Sequence, residues 1–278
     1  MQEVSNPLCW LSSTQSGLGD RLINTAYMLT LSRKMGLTLH MEWVRFDIPP
    51  GKVPIYRSQD ILFENLSRHM KFPSDLVVVT NGQFPMINNE MGCTVYGGFS
   101  INSCDFYQRI GNKYFSSLSD FQDLLALSSR DFEFIGLSES IRKSLPKNTA
   151  SIHIRRTDKV CLNPDAYMIH IDELTNLNNL TEKWILNAAN EHRNFYVCGD
   201  DQTEVANYQD FIRRNGLSVF DPKVDQEIQD WEKTFIDMAV MSASKTIFQS
   251  QRNSSFSRFA AMISGAKMVN AYEESACI

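Results

Sequence analysis

The chain consists of two kinds of segment that follow one another. In short segments apolar and polar positions alternate, and in longer segments the apolar positions recur at helical spacing. Residues 7–12 predict a first strand, and residues 21–35 place their apolar side chains on one face of a helix. Gly36 follows at the position of a C-cap glycine, and residues 37–43 alternate as a second strand. The chain therefore begins as a β-turn-α-β unit.

The middle of the chain has a less regular pattern. Residues 58–70 are interpreted as helical, residues 75–80 and 93–96 as strands, and residues 118–144 as a helical region rich in Leu and Ser. Residues 145–149 read Leu-Pro-Lys-Asn-Thr and form the best linker candidate.

A second, more regular series follows the linker. The predicted strands are residues 150–154, 195–198, 217–220, 246–249 and 267–269. The predicted helices are residues 181–192 with Thr181 as N-cap, 202–215, 230–242, and one that ends at residue 263. Strands that alternate with helices imply a parallel sheet. The sequence thus predicts an α/β fold of two Rossmann-like domains, residues 1–146 and 147–278, that face each other across a cleft.

Three polar clusters in the second half each follow a predicted strand. They are residues 153–158, 199–201 and 251–257. Because ligands of α/β proteins gather at the carboxyl ends of the strands, we expect these clusters to share one edge of the sheet. The common edge favours a ligand that carries a diphosphate, such as a sugar nucleotide.

The first and third clusters both suit phosphate. Arg155 and Arg156 offer guanidinium groups that match phosphate oxygens bidentately, or else form a surface ion pair with a neighbouring acid. Ser254 and Ser255 open a predicted helix, where they and the free N–H groups could hold phosphate or serve as an ordinary N-cap.

Acidic residues and a glycine turn supply further candidates. Asp200 and Asp201 could accept hydrogen bonds from a ribose or base, form a turn, or hold a metal, for which two adjacent acids are weak evidence. Asp237 lies in an apolar helical run and is either exposed or turned toward a ligand. Gly17 and Gly19 lie where a helix begins, either at an anion site or in a tight strand-helix turn.

Composition narrows the class of protein. The 278 residues carry a net charge of −5 with a pI of about 5.6, which argues against a general nucleic-acid binder. The six cysteines form no CxxC pair, so zinc-ligand spacing is absent. The chain has neither a long apolar run nor a basic-apolar leader. We therefore expect a soluble, cytoplasmic protein without a membrane span, with the catalytic part of a longer anchored protein as the alternative.

Several stretches resemble the GDP-fucose-dependent fucosyltransferases of the alpha-1,2, alpha-1,6 and protein-O type, which have the GT-B fold. Residues 17–22, with the helix and strand that follow to residue 43, resemble the N-terminal glycine turn of that family. Residues 153–160, His-Ile-Arg-Arg-Thr-Asp-Lys-Val, resemble the first motif of the alpha-1,6 enzymes. Residues 235–244 and 253–257 are more similar to the alpha-1,2 enzymes, whereas residues 44–99 give no clear alignment.

The resemblance implies roles for individual residues. Arg155 would bind the β-phosphate of GDP-fucose and stabilise the departing diphosphate, and Asp158 would orient that arginine or the sugar. His153 and Asp237 would contact the guanosine. The implied donor-binding set is Gly17, Gly19, His153, Arg155, Arg156, Asp200, Asp201, Asp237, Ser254, Ser255 and Phe256. The family needs no divalent metal and no cofactor besides the donor.

The chain departs from the alpha-1,6 enzymes at the general base. Those enzymes carry a Glu shortly after the Lys-Val step, where this chain has Asn163, which cannot accept a proton. Asp165 and Lys159 are the nearest substitutes, and Asp20 is an alternative from the first domain. An oxocarbenium-like transition state could also proceed without a base. The catalytic set expected from the resemblance is Arg155, Asp158 and Asp165.

The function expected is inverting transfer of fucose from GDP-fucose to a hydroxyl group of a glycan acceptor, of alpha-1,2 or alpha-1,6 type. Two alternatives remain: the same fold with another nucleotide-sugar donor, and a catalytically inactive GDP-sugar-binding protein. The partners expected are the donor and a glycan or glycoside acceptor, and no nucleic acid.

Overall fold

A computed structural model of the chain describes residues 8–12, 17–43, 63–79, 86–87, 90–91, 94–97, 103–156, 160–161, 169–224, 227–251 and 254–274. The chain divides into two compact units, Met1–Ile135 and Gly136–Ile278. Each unit contains a parallel sheet with helices, which confirms the α/β class. The domain boundary expected between residues 146 and 147 stays a prediction.

The first unit is built on a four-stranded parallel sheet in the order β4-β2-β1-β7. Its strands are β1 (Leu8–Ser12), β2 (Leu39–Trp43), β3 (Met70–Lys71), β4 (Leu76–Val79), β5 (Met86–Ile87), β6 (Glu90–Met91), β7 (Thr94–Gly97) and β8 (Glu133–Phe134). Its helices are α1 (Leu18–Met35), α2 (Phe63–Leu66), α3 (Ser103–Arg109) and α4 (Leu118–Ser129). β3 pairs with β8, and β5 with β6, as short antiparallel ladders.

Helix α1 is the central helix of this unit. Every residue from 21 to 32 is buried, so the helix is enclosed on all sides rather than lying on the surface. Gly36 ends it in the left-handed region at φ 68°, and the N–H of Leu37 donates to the carbonyl of Ser32 over 2.8 Å. A backbone in the left-handed region is strained for most residues but not for glycine, so the helix ends at Gly36.

The second unit is built on a five-stranded parallel sheet in the order β13-β12-β9-β14-β15. Its strands are β9 (Thr149–Ile154), β10 (Val160–Cys161), β11 (Ile169–His170), β12 (Asn194–Gly199), β13 (Ser218–Val219), β14 (Thr246–Ser250) and β15 (Lys267–Asn270). Its helices are α5 (Gly136–Ser144), α6 (Leu174–Ala188), α7 (Gln202–Arg214), α8 (Asp230–Ala243), α9 (Ser255–Ser264) and α10 (Ala271–Glu274).

The apolar core of this unit lies between the sheet and helices α6 and α7. Ile152 and Ile154 of β9 are fully buried in it, and Trp184 of α6 stacks on Phe248 of β14 with ring centroids 4.4 Å apart. Such a stacked pair contributes about 0.5–1.5 kcal/mol beyond its buried area. Ser151 and His153, which alternate with these residues, therefore lie on the opposite face of β9.

Three expectations from the sequence are wrong in detail. Of the helix expected over residues 58–70, only Phe63–Leu66 is helical among the described residues, and Met70 belongs to β3. Thr181 is not an N-cap, because α6 begins at Leu174 and buries Thr181 in its middle. The hydroxyl of Thr181 donates to the carbonyl of Leu177 over 2.8 Å. The helical region 118–144 is two helices, α4 and α5, separated by β8.

Of the helices in the described ranges, none has the length and apolar character needed to cross a membrane.

Candidate functional site

The three polar clusters of the second unit follow neighbouring strands of its sheet. β9 lies between β12 and β14, and Ile154 at the end of β9 pairs with Gly199 on one side and Ser250 on the other. The residues that follow Ile154, Gly199 and Ser250 therefore lie side by side, in a row just beyond the carboxyl ends of the three strands. That row consists of Arg155, Asp200 and Gln251, so the shared edge expected from the sequence is observed.

Asp200 ties two of these turns together. Its Oδ1 accepts the backbone N–H of Arg156 over 2.8 Å, and its own N–H donates to the carbonyl of Ile154 over 3.3 Å. Gly199 permits this close approach, because a Cβ on it would overlap the carbonyl oxygen of Ile154. Asp200 therefore fixes the direction in which the chain leaves β9.

The two adjacent arginines lie in different surroundings. Arg156 is only 4% exposed, and its guanidinium donates to the carbonyl oxygen of Ser250 and, over 2.8 Å, to the hydroxyl of Ser250. Asn178 of α6 is a further acceptor at 3.5 Å. Arg156 thus joins the ends of β9 and β14 from within the fold, whereas Arg155 is half-buried at the edge. The donor-binding role expected for Arg156 stays a prediction.

His153 is held in a buried network of neutral side chains. Its Nδ1 lies 3.1 Å from the hydroxyl of Ser257, which accepts a hydrogen bond from Nε2 of Gln249 over 2.7 Å. The Oε1 of Gln249 in turn accepts from Nδ2 of Asn270 over 3.1 Å. Burial, followed by the charges of Arg155 and Arg156, lowers the pKa of His153 from 6.5 to about 3. His153 is therefore a neutral hydrogen-bonding group at physiological pH.

The N-terminus of α9 adjoins this network. Ser254 occupies the N-cap position without a side-chain capping bond, and its carbonyl accepts from Nε2 of Gln249 over 3.0 Å. Ser255 and Phe256 form the first turn, and the Phe256 ring lies 5.4 Å from the His153 ring. The first N–H groups of a ten-residue helix thus lie beside His153, in an arrangement that favours an anion.

Asp237 of α8 is buried rather than exposed, at 9%. Its Oδ1 accepts a hydrogen bond from the hydroxyl of Tyr196 in β12. Burial and the charge of Asp237 raise the pKa of Tyr196, so the phenol stays protonated and donates. Burial and Asp237 also raise the pKa of the Cys198 thiol, two residues along the same strand.

Asp201 serves as the N-cap of α7. Its Oδ1 accepts from the N–H groups of Thr203 over 3.0 Å and Glu204 over 3.1 Å. A capping carboxylate stabilises a helix by typically about 1 kcal/mol, which accounts for its position without a ligand. Its expected contact with the donor stays a prediction.

In the first unit, Gly17 is the N-cap of α1, with φ −64°, and Gly19 is buried in the first turn. Arg21, one turn further, places its guanidinium 3.5 Å from the ring centroid of Trp43. Burial lowers the pKa of Arg21 to about 9.

The remaining expected catalytic residues, Asp158 and Asp165, lie outside the described residues, as do Lys159 and Asn163. Within the ranges described, no three His, Cys, Asp or Glu side chains cluster as metal ligands. The expectation of a metal-free site stays a prediction.

Sequence reasoning missed the residues that hold the site together. They are Tyr196, Gln249, Ser250 and Asn270, whereas Gln251 and Ser257 fall within the predicted cluster 251–257. Gln249 offers the clearest signal in the sequence, because it directly follows the apolar pair Ile247 and Phe248 of a buried strand, where a polar side chain needs hydrogen-bond partners.

The second unit is an α/β unit with a parallel sheet, and ligands of such folds gather at the carboxyl ends of the strands. No protein-family model matches the sequence, and a sequence comparison finds no similar curated protein. Solved structures are similar in fold. POFUT1 in complex with GDP has a TM-score of 0.54 at 11% identity, over 96% of this chain and 99% of that chain.

Two structures of NodZ show the same similarity. The alpha-1,6-fucosyltransferase NodZ co-crystallised with GDP has a TM-score of 0.50 at 15% identity, over 91% of each chain. The fucosyltransferase NodZ from Bradyrhizobium has a TM-score of 0.50 at 14% identity, over 91% of this chain and 92% of that chain. The chain therefore has a fold similar to that of these fucosyltransferases, as the sequence resemblance predicts.

Proposed function

We propose that the protein is an inverting glycosyltransferase that moves fucose from GDP-fucose to a hydroxyl group of a glycan acceptor, of alpha-1,2 or alpha-1,6 type. The observation that carries the proposal is the row at the carboxyl edge of the second sheet. Arg155 lies in that row, between the turn of Asp200 and the chain that leads to α9. The fold is similar to that of POFUT1, whose complex with GDP is known, which supports the same kind of donor here.

Arg155 carries the central chemical role in this proposal. When the C1–O bond to the β-phosphate breaks, negative charge develops on the departing diphosphate. The guanidinium of Arg155 and the first N–H groups of α9 neutralise that charge, which a metal ion does in other transferases. The charges of Arg155 and Arg156, after burial, also lower the pKa of His153, which shows that both guanidinium groups act on this edge.

The other roles follow from the same ligand. Asp237 accepts from the amine edge of guanine, and His153 contacts the guanosine. The acceptor hydroxyl attacks C1 from the face opposite the diphosphate, which inverts the configuration, and its proton passes to Asp165 or to solvent. Asp158 orients Arg155 or the sugar. We further propose a GT-B arrangement, with the first unit shaping the acceptor site.

The test is GDP release from GDP-fucose by the full chain, with and without a panel of glycan acceptors. Arg155→Ala should lower turnover on the order of 100-fold, as the loss of one oxyanion donor does in other enzymes. Arg155→Lys should retain part of the activity, because it keeps the charge and loses the bidentate fork. Arg213→Ala, at a half-exposed arginine of α7 that pairs with Asp210, is the matched control and should be active.

Near-normal turnover in a folded Arg155→Ala protein would exclude this role. Donor binding by the wild type without release, even with acceptors present, would favour the second candidate, an inactive GDP-sugar-binding protein. Asn163, at the position where the alpha-1,6 enzymes carry a Glu, is the feature that favours that candidate. Competition with GDP-mannose and a UDP-sugar would identify another donor on the same fold.

A further inference from the structure

Gln251 is a buried amide at the end of the central part of the second sheet. The residue is only 1% exposed, and neither its Nε2 nor its Oε1 has a hydrogen-bond partner among the residues that the structure describes. A buried amide carries a desolvation penalty unless its donor and acceptor are paired. An unpaired buried side chain of this kind in a native fold therefore calls for an explanation.

The position of Gln251 places it at the proposed donor site. It lies in the same row as Arg155 and Asp200, one residue past the last pair of β14 with β9. Ser250 directs its hydroxyl toward Thr181 of α6, on one side of the sheet. If side chains continue to alternate past the last residue of β14, Gln251 lies on the other side, with Gln249 and the first turn of α9.

Gln249 provides an internal comparison on the same strand. It is equally buried at 1%, yet its amide is fully used within the protein. Its Nε2 donates to Ser254 and Ser257, and its Oε1 accepts from Asn270. Two equally buried glutamines, two residues apart, thus differ in their hydrogen bonding. Among the described residues, the amide of Gln249 has its partners and the amide of Gln251 has none.

The chemistry of an amide restricts what Gln251 can bind. Phosphate offers acceptors and would leave Oε1 unpaired, whereas an amide pairs fully with a neutral group that has a donor and an acceptor side by side. Vicinal hydroxyls of a sugar and the edge of guanine both have that arrangement. A GDP-sugar contains such groups in its base, its ribose and its transferred sugar.

We propose that Gln251 is a donor-binding and specificity-determining residue, whose amide hydrogen-bonds a neutral donor-acceptor pair of the bound nucleotide sugar. This inference rests on the proposed function, since the ligand is the same. In the free protein the amide is unsatisfied and lowers stability, and binding of the donor satisfies it.

The first experiment uses the free protein and is independent of any ligand. Gln251→Met keeps the length of the side chain and removes the amide, so its unfolding midpoint should equal or exceed that of the wild type. Gln249→Met should lower the midpoint, because the buried groups that now hydrogen-bond to the Gln249 amide would lose their partner. Gln108→Met, at an exposed position of α3, controls for the substitution itself. A drop for Gln251→Met as large as that for Gln249→Met would overturn the inference.

The second experiment measures binding of GDP and GDP-fucose by calorimetry. Loss of one or two neutral hydrogen bonds should weaken binding to Gln251→Met about three- to tenfold. An equal loss for both ligands assigns the amide to the guanosine half, and a loss confined to GDP-fucose assigns it to the transferred sugar. Unchanged affinity for both would overturn the inference. If the wild type binds neither, the proposed function fails, while the stability comparison still tests the amide.

Discussion

Replacing Tyr196 with phenylalanine removes a single hydroxyl group from the interior of the second unit. The Tyr196 ring packs against Phe220 with centroids 6.1 Å apart, and it is 5% exposed, so its packing should survive the change. The hydroxyl donates to Oδ1 of Asp237, which is itself buried on α8. The substitution therefore takes one hydrogen bond away from a buried carboxylate.

The expected cost follows from the kind of acceptor. A hydrogen bond to a charged group contributes about 1.5–3 kcal/mol, compared with about 0.5–1.5 kcal/mol for a neutral pair. Tyr208→Phe is the matched control, because the buried Tyr208 hydroxyl donates to the neutral amide oxygen of Asn178 over 2.8 Å. We expect Tyr196→Phe to lower the free energy of unfolding about twice as much as Tyr208→Phe.

Denaturant unfolding at neutral pH measures both changes, as shifts of the midpoint at an unchanged slope. Under the proposed function, Tyr196→Phe should also weaken GDP binding, because Asp237 loses the partner that orients it toward guanine. Tyr208→Phe lies on the opposite side of the sheet and should leave GDP binding intact. If Tyr196→Phe costs no more stability than its control, the reasoning about the buried carboxylate is refuted.

Two further predictions concern the edge of the sheet and its histidine. Gly199→Ala would bring a Cβ against the carbonyl oxygen of Ile154 and within 2.9 Å of the Ile154 Cβ. This overpacking should lower the free energy of unfolding by about 1–3 kcal/mol, as measured by denaturant unfolding. An unchanged midpoint would refute the close approach. The pKa of His153 is about 3 when folded and 6.5 in its ordinary state, so below pH 6.5 the unfolded chain binds a proton that the folded chain does not. The free energy of unfolding should then fall by up to about 1.4 kcal/mol per pH unit between pH 6.5 and 3. His153→Gln removes this loss. The free energy of unfolding of the variant, relative to that of the wild type, should therefore increase as the pH falls. Parallel pH profiles of the two proteins would contradict this reasoning.

The edge of the second sheet could be predicted because its pattern is local. Buried β-branched strands such as residues 150–154 end where charged residues begin, and parallel strands bring those ends together. The helices α7 and α8 were predicted within one residue of their observed ends for the same reason, since their apolar spacing is regular.

Other features depend on tertiary partners that no local pattern contains. Arg155 and Arg156 are chemically identical neighbours, and Arg156 is the buried one because its acceptors, Ser250 and Asn178, come from another strand and from α6. Threonine is typical of helix starts, but α6 begins seven residues before Thr181, at Leu174. The turn that precedes Thr181 is helical and buries Leu177 in the core. The buried Asp237 accepts a hydrogen bond from Tyr196, which lies 41 residues away along the chain.

The most direct test of the central claim is calorimetric titration of the full chain with GDP, UDP, GDP-fucose and GDP-mannose, with a chelator present. Under the proposed function, binding should be selective for guanine, independent of metal, and strongly weakened by Arg155→Ala. Absence of guanine-nucleotide binding by a folded wild-type protein would contradict it, and the edge formed by Arg155, Asp200 and α9 would then need another ligand.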